Sequence, residues 1–270
     1  MGYIVMGKKW KRAVGVLLAL GMVVSIALVC RGIETENSDV VDLTRPLGPG
    51  RASFTVEETT VDGETPGSIP DRRIVFAYEP GLTETTALVS PRRWVEGGAT
   101  LDDFPTSSLV VPVSVIDATD LAGGGGGFAL DAGTLMRYET FAGEIPEGAA
   151  VLVALGGDPA GAGPESAEVS PPLEYPGLSP DAVTFLVEKR HVSIIGVDTP
   201  GIDPSERVEN EAAMMLAKSG GCALVNLGGL DTLPPRGGVL VVAPLAMDGA
   251  DAAPARAFVL VPKAAPAPVE

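Results

Sequence analysis

The sequence has one histidine, His191, and two cysteines, Cys30 and Cys222, in 270 residues. Zinc sites draw on several His and Cys ligands at close spacing, and neither cysteine has a neighbour at such a spacing. Two cysteines also make no disulfide framework. Basic residues are few: 19 Lys and Arg face 35 Asp and Glu, giving a net charge of −16. No basic surface is available to phosphates, which excludes nucleic acid as a partner; the acidity serves solubility. Aromatic residues make up only 5%. There is no Gly-x-Ser-x-Gly elbow for a serine hydrolase. The five glycines at 123–127 are followed by no Lys-Ser/Thr pair, so they read as a flexible surface loop and not a phosphate loop. Long apolar runs are absent except one, at 13–30.

That run is preceded by Lys8, Lys9, Lys11 and Arg12. Basic residues before an apolar stretch describe a signal peptide or a signal anchor. Ser25 and Ala27 are small enough to precede a cleavage point, and the run is long enough to span a bilayer if uncut. Val29 before Cys30 departs from a lipoprotein pattern. The expected organisation is residues 1–31 as signal peptide or anchor, 32–39 as linker, 40–262 as one folded domain and 263–270 as a disordered tail. The expected location is the cell membrane through a single N-terminal span with the bulk exported, or secreted or periplasmic if cleaved.

Within the domain, apolar residues reach 46%, and Gly (34) and Pro (24) are abundant. Short β-branched runs alternate with turn-rich connections. Strands are expected at 52–56, 72–78, 109–118, 150–155, 192–197, 222–227 and 239–245. Helices are expected at 129–141 and 206–219, the latter burying Ala212, Ala213, Leu216 and Ala217. The most informative stretch is 175–204, YPGLSPDAVTFLVEKRHVSIIGVDTPGIDP. Ser179 is a suitable N-cap, Pro180 suits the first helical position, and Asp181 lies in the first turn. Val183, Leu186 and Val187 share a face. Lys189 and Arg190 place cations at the negative end, and His191 is a C-terminal cap. The strand that follows ends at Asp198-Thr199-Pro200, a common position for ligand sites in α/β proteins.

This stretch resembles the cyclase family of metal-dependent hydrolases, which includes kynurenine formamidases and isatin hydrolases and reads PGLS, helix, strand, then G-[VI]-D-T-P-S-[VI]-D. Further likenesses are VVDLTRPL at 40–47, the run ending VIDA at 118, LDTLP at 230–234 and APARAFVLV at 253–261. The resemblance implies a single α/β domain of swivelling β/β/α type, a mixed sheet with flanking helices. It also implies hydrolysis of an amide or cyclic amide, with a metal activating water. The family's metal motif, His-x-Gly-Thr-His-x-Asp-x-Pro-x-His, aligns with residues 97–107. Thr100, Asp103 and Pro105 match. The histidine positions fall on Gly97, Leu101 and Ser107. Where some members carry a second-metal glutamate this chain has Val225, and the helix before it holds no histidine.

Of the family's metal ligands only Asp103 survives, with Gly97, Thr100, Leu101, Pro105, Ser107 and Val225 as the remnant of a pocket. Leucine and glycine offer no lone pair, and Ser107 is a poor base alone. No cofactor is therefore expected. The alternative is a site rebuilt from Glu96, Asp102, Asp103 and Asp117, which suits Mg²⁺ or Mn²⁺ better than Zn²⁺. Asp198 and Asp203 are expected to order their loop through Asx-type turns. Three functions stay open: a catalytically degenerate binding or assembly module, an amidohydrolase with a rebuilt carboxylate site, and a purely structural envelope protein. A homo-oligomer and a small-molecule ligand are the partners implied.

Overall fold

The computed structural model describes residues 38–45, 54–58, 72–76, 85–123, 127–157, 174–205 and 209–263, with 54–58 and 72–76 described as backbone only. The expected N-terminal apolar segment, most of the linker and the tail from 264 lie outside these residues. No described helix is long and apolar enough to cross a membrane. The barrel and its helices lie within Val40–Val261.

The strands in chain order are β1 (Ser38–Asp42), β2 (Phe54–Glu58), β3 (Arg72–Phe76), β4 (Ala87–Val89), β5 (Val110–Asp117), β6 (Ala129–Leu130), β7 (Ala150–Ala154), β8 (Gly177–Leu178), β9 (Ile194–Val197), β10 (Cys222–Val225), β11 (Gly238–Pro244) and β12 (Ala252–Pro262). The helices are α1 (Thr119–Ala122), α2 (Ala132–Ala142), α3 (Pro180–Arg190) and α4 (Glu211–Lys218). The main sheet runs β1-β12-β11-β5-β7-β9-β10-β4, and β4 pairs back onto β12. Strands β5, β7, β9 and β10 are mutually parallel. The pairs β10–β4, β4–β12, β12–β11 and β11–β5 are antiparallel. The expected mixed sheet with flanking helices is present, and it closes into a barrel. Closure rests on Ala252–Pro254 pairing with Ala87–Val89, a contact across most of the chain that local patterns do not encode. Strands β2 and β3 form a separate antiparallel ribbon, and β6 pairs with β8 in parallel.

Alternation along the strands sorts the core into two layers. Ala150, Leu152, Ala154, Ile194, Cys222, Leu224, Leu240, Val242 and Val259 fill the barrel. Val151, Val153, Ile195, Val197, Ala223 and Val225 point outward and are covered by Val183, Leu186, Ala212, Ala213 and Leu216 of α3 and α4. The interior is crowded: a Cβ on Gly196 would come within 2.3 Å of Leu152 and 2.9 Å of Leu227. Burial pushes the Cys222 thiol up to about 12, so it stays neutral and acts as a small apolar side chain.

Local expectations hold with corrections: the helix expected over 206–219 is α4, Glu211–Lys218, with 209–210 outside it. The helix expected over 129–141 begins later, because residues 129–130 pair with β8; Asp131 then caps α2, accepting from the Thr134 N–H at 2.7 Å. Ser179 occupies the N-cap position of α3, yet its hydroxyl donates to the Leu130 carbonyl at 2.9 Å, tying β8 to β6. Pro180 fits at the start of α3, and His191 ends it in the left-handed region (φ 52), its N–H donating to the Val187 carbonyl. The three alanines and the leucine expected on the buried side of α4 are all buried.

Candidate functional site

The stretch aligned with the metal motif forms a compact loop. A Cβ on Gly98 would approach the Pro91 carbonyl carbon to 2.9 Å, so the loop lies directly on the turn at Pro91–Arg93. The Arg92 N–H donates to the Ala99 carbonyl at 3.1 Å. Gly97 has φ +74, a left-handed conformation that glycine adopts freely and other residues resist. Thr100 donates to the Asp103 carboxylate twice, through its N–H and its hydroxyl, both at 2.9 Å. Asp103 thus acts as the reciprocal cap of a single 3₁₀ turn. The Leu101 N–H donates to the Ala250 carbonyl at 3.0 Å, and its side chain, buried, joins the barrel interior. The Asp102 carboxylate accepts from the Gly249 N–H at 3.0 Å. Pro105 starts the next 3₁₀ turn, and Ser107 is exposed on it.

These placements separate the predicted remnant residues. Leu101 packs into the barrel, whereas Val225 faces the helices on the other side of the wall. Asp103 and Ser107 look outward. Among the described residues, no three His, Cys, Asp or Glu converge as a metal site. The four carboxylates considered for a rebuilt site do not assemble: Asp102 serves Gly249, Asp103 serves Thr100, Asp117 accepts from the Thr119 N–H, and Glu96 is exposed. A divalent metal requires several donors on one centre, so this donor set does not fit one.

The acidic loop after β9 is a structural hub. Asp198 accepts from the N–H groups of Leu155 (2.9 Å) and Gly156 (3.1 Å), fastening the end of β7 to the end of β9. Burial raises its pKa, and those backbone donors oppose the shift. Asp203 is buried and accepts from the N–H groups of Ala212 (2.7 Å) and Ala213 (3.0 Å), the orphan donors at the start of α4. The expectation that both aspartates order their own loop through Asx-type turns is therefore corrected: each carboxylate organises a different element, across 43 residues for Leu155 and 10 for Ala213. Asp203→Ala leaves two buried donors unpaired and is expected to cost about 2–4 kcal/mol. Urea unfolding checks this; a loss within about 0.5 kcal/mol of surface substitutions would refute the assignment.

A second polar junction, which the sequence patterns missed, joins β1, β4 and β10. Asn226, buried at φ 56, donates from its amide to the Thr85 carbonyl at 3.1 Å. The Thr86 hydroxyl donates to the Asn226 carbonyl at 2.7 Å and accepts from the Arg45 N–H at 2.8 Å. The Arg45 guanidinium reaches the carbonyls of Leu227 (3.1 Å) and Asp198 (3.3 Å). Beside this junction is an open groove of about 680 Å³, lined in part by Asp42, Arg45, Thr85, Leu245, Pro254 and Arg256. Gly97, Leu101 and Ser107 do not line it. The matched stretches do hold parts of this arrangement: Asp42 and Arg45 fall in 40–47 and Arg256 in 253–261, and Asp42 and Arg256, 214 residues apart, form an ion pair.

The profile of the Cyclase family matches residues 41–204. The chain belongs to the cyclase family. It is 32% identical over 191 residues to an isatin hydrolase of Roseibium aggregatum, covering 65% of this chain and 70% of that one. A kynurenine formamidase of Salinibacter ruber is 30% identical over 226 residues, covering 81% of this chain and 95% of the relative. Among solved structures, isatin hydrolase A from Labrenzia aggregata bound to benzyl benzoate superposes with a TM-score of 0.72 at 25% identity, covering 88% of this chain and all of that one. This cyclase-family chain has the barrel, the acidic hub and the loop that carries Gly97, Leu101 and Ser107.

Proposed function

We propose that this cyclase-family protein has lost the metal-dependent hydrolysis implied for intact members and uses the fold as a binding or assembly module. The observation that carries this reading is the position of Leu101. A residue aligned with a metal-ligating histidine is an apolar side chain packed into the barrel interior. Its neighbours agree. Asp103 commits its carboxylate to Thr100, and Gly97 holds a backbone conformation that disfavours a side chain. The small-molecule ligand, self-association and export expected from the sequence complete the proposal. The isatin hydrolase and kynurenine formamidase relatives supply the substrates against which loss of activity is measured.

The test is metal content by elemental mass spectrometry on the full chain after exposure to Zn²⁺, Mn²⁺ and Mg²⁺, together with turnover of isatin and N-formylkynurenine. The expected result is far less than stoichiometric metal and no chelator-sensitive turnover, with Asp103→Ala indistinguishable from wild type in both. Stoichiometric metal that vanishes in Asp103→Ala would refute the proposal.

A further inference from the structure

Among the buried polar groups without a hydrogen-bond partner, the Ser114 hydroxyl and the Arg236 Nε–H occupy the same place in the fold. The backbone brings them there. Val113 pairs with Gly238, while the Val115 N–H donates to the Pro235 carbonyl at 2.9 Å. Arg236 and Gly237 are thus both set against Ser114, two residues against one, which makes a bulge at the entry to β11. Gly237 takes the left-handed conformation (φ +89) that lets the chain rejoin the ladder. Ser114 also pairs with Val151 of β7, whose side chain lies in the layer under the helices. Ser114 therefore faces that layer and is fully buried. Tyr138 of α2 covers this point, its hydroxyl donating to the Val115 carbonyl at 3.0 Å and reaching the Pro235 carbonyl at 3.4 Å.

The Arg236 guanidinium lies over the C-terminal end of α2, where a terminal nitrogen donates to the Gly143 carbonyl. That contact suits a cation at the negative end of a helix, but it uses only the tip of the group. The Nε–H is left shielded from solvent with no acceptor. Among the described residues no carboxylate forms an ion pair with Arg236. Arg190 is the main cause that holds the Glu139 carboxylate below its usual range, with Arg236 a lesser one, and Arg190 takes both Glu139 oxygens at 2.7 Å. Glu144, 3.5 Å from Arg190, is 82% exposed and sits in solvent. This corner thus sets two guanidinium groups against one carboxylate that is already committed. A half-buried cation without a counter-charge is costly.

The free groups indicate what completes the corner. The Arg236 Nε–H is a donor only, and the Ser114 hydroxyl can turn its proton to the same acceptor. A water would need acceptors for its own hydrogens, and the carbonyls at hand are engaged. Pro235 accepts from Val115 and Tyr138, and Val115 accepts from Tyr138. Burial raises the Tyr138 pKa, so the phenol stays protonated and keeps those bonds. An anion accepts from both free donors and supplies the missing charge. We propose that Ser114 and Arg236 form a binding site for a small monoanion of halide size, seated between the C-terminal end of α2 and the bulge at residues 236–237. The bound anion joins α2, β5 and the start of β11, so the stability of the fold depends on its concentration. The site is independent of the motif loop and of whether that loop binds a metal.

The test is thermal unfolding of the full chain in sodium chloride and in sodium gluconate, each at about 0.2 M. Equal ionic strength removes the general screening of a chain with a net charge of −16, and gluconate is too large for the site. The Tm is expected to be at least about 3 °C higher in chloride. Bromide is expected to act as chloride does. Ser114→Ala removes a hydroxyl that has no partner in the chain. In gluconate this variant is expected to match wild type, and in chloride to lose the gain. Arg236→Gln is expected to lose the gain as well; should it fail to fold, Ser114→Ala still decides. Arg137→Gln, on the exposed side of α2, is expected to keep it. Equal Tm in chloride and gluconate would overturn the inference and leave the two groups to water or to each other. A chloride gain that survives in Ser114→Ala, or that Arg137→Gln also abolishes, would place the anion elsewhere and overturn it too.

Discussion

Gly177→Ala is expected to destabilise the fold by more than about 3 kcal/mol, lowering Tm by roughly 6–12 °C for a chain of this size. The reason is contact with backbone. A Cβ at residue 177 would lie 2.4 Å from the Pro204 nitrogen, 2.5 Å from the Asp203 carbonyl carbon and 2.6 Å from the Ile202 oxygen. A flexible side chain could move aside, but these atoms cannot. The Leu178 N–H donates to the Ile202 carbonyl at 2.7 Å, and Asp203 caps α4. Displacing 202–204 to admit a methyl group would therefore strain β8 and the start of α4 together. Gly148→Ala is the control. Gly148 has φ +74, and a methyl group there would meet nothing within 4 Å, so it reports backbone conformation alone, about 1 kcal/mol. Thermal and urea unfolding of both variants decide the matter. Equal losses would mean that the backbone at 202–204 yields to the methyl group and that the close approach at Gly177 is not what demands glycine.

This prediction also explains why the 175–204 stretch was the most legible part of the sequence. Its two ends, Pro-Gly-Leu-Ser and Gly-Ile-Asp-Pro, meet in space, with Gly177 against Asp203 and Pro204. The motif is a packing motif, and packing demands particular residue types that pattern reading detects. The strands were legible for the same reason. Ala150–Ala154 is buried throughout because one face fills the barrel and the other meets the helices, which yields a continuous apolar run. Barrel closure was not legible, because the pairing of β4 with β12 leaves no periodic signal in either strand. Asp198 and Asp203 were recognised as ordering residues, but their partners lie in other elements, and sequence spacing suggested local turns. The Asn226 junction was legible only in pieces, such as Arg45 within 40–47; threonines at 85 and 86 look like any turn residues until β10 is laid beside β4. At the motif loop the sequence reading concerned which side chains stand at the aligned positions, Gly97, Leu101 and Ser107. It could not show that Leu101 and Val225 lie on opposite faces of the barrel wall.

Restoring the three motif histidines in the combined Gly97→His, Leu101→His and Ser107→His variant is expected to destabilise the protein by several kcal/mol without creating a stoichiometric metal site. Each substitution meets a different obstacle. Gly97 sits at φ +74, where a side chain costs about 1–2 kcal/mol. Leu101 is 6% exposed among barrel-interior residues, and an imidazole there replaces apolar contact with a polar group that must find a partner, a loss of about 2–4 kcal/mol. Ser107 is exposed and tolerates histidine, but it lies on a separate 3₁₀ turn from Leu101. Asp103, to serve as a ligand beside them, would also have to release two hydrogen bonds from Thr100 that form the cap of its turn. Metal binding would have to supply the free energy for all of these changes before any affinity remained. Elemental mass spectrometry after exposure to Zn²⁺ and Mn²⁺, with urea unfolding beside it, measures both parts. The expected outcome is lowered stability, metal far below one ion per chain, and no recovery of stability on adding metal. Stoichiometric binding that restores stability would show instead that the loop can still present a metal-ligand geometry, against the proposed loss of the metal site.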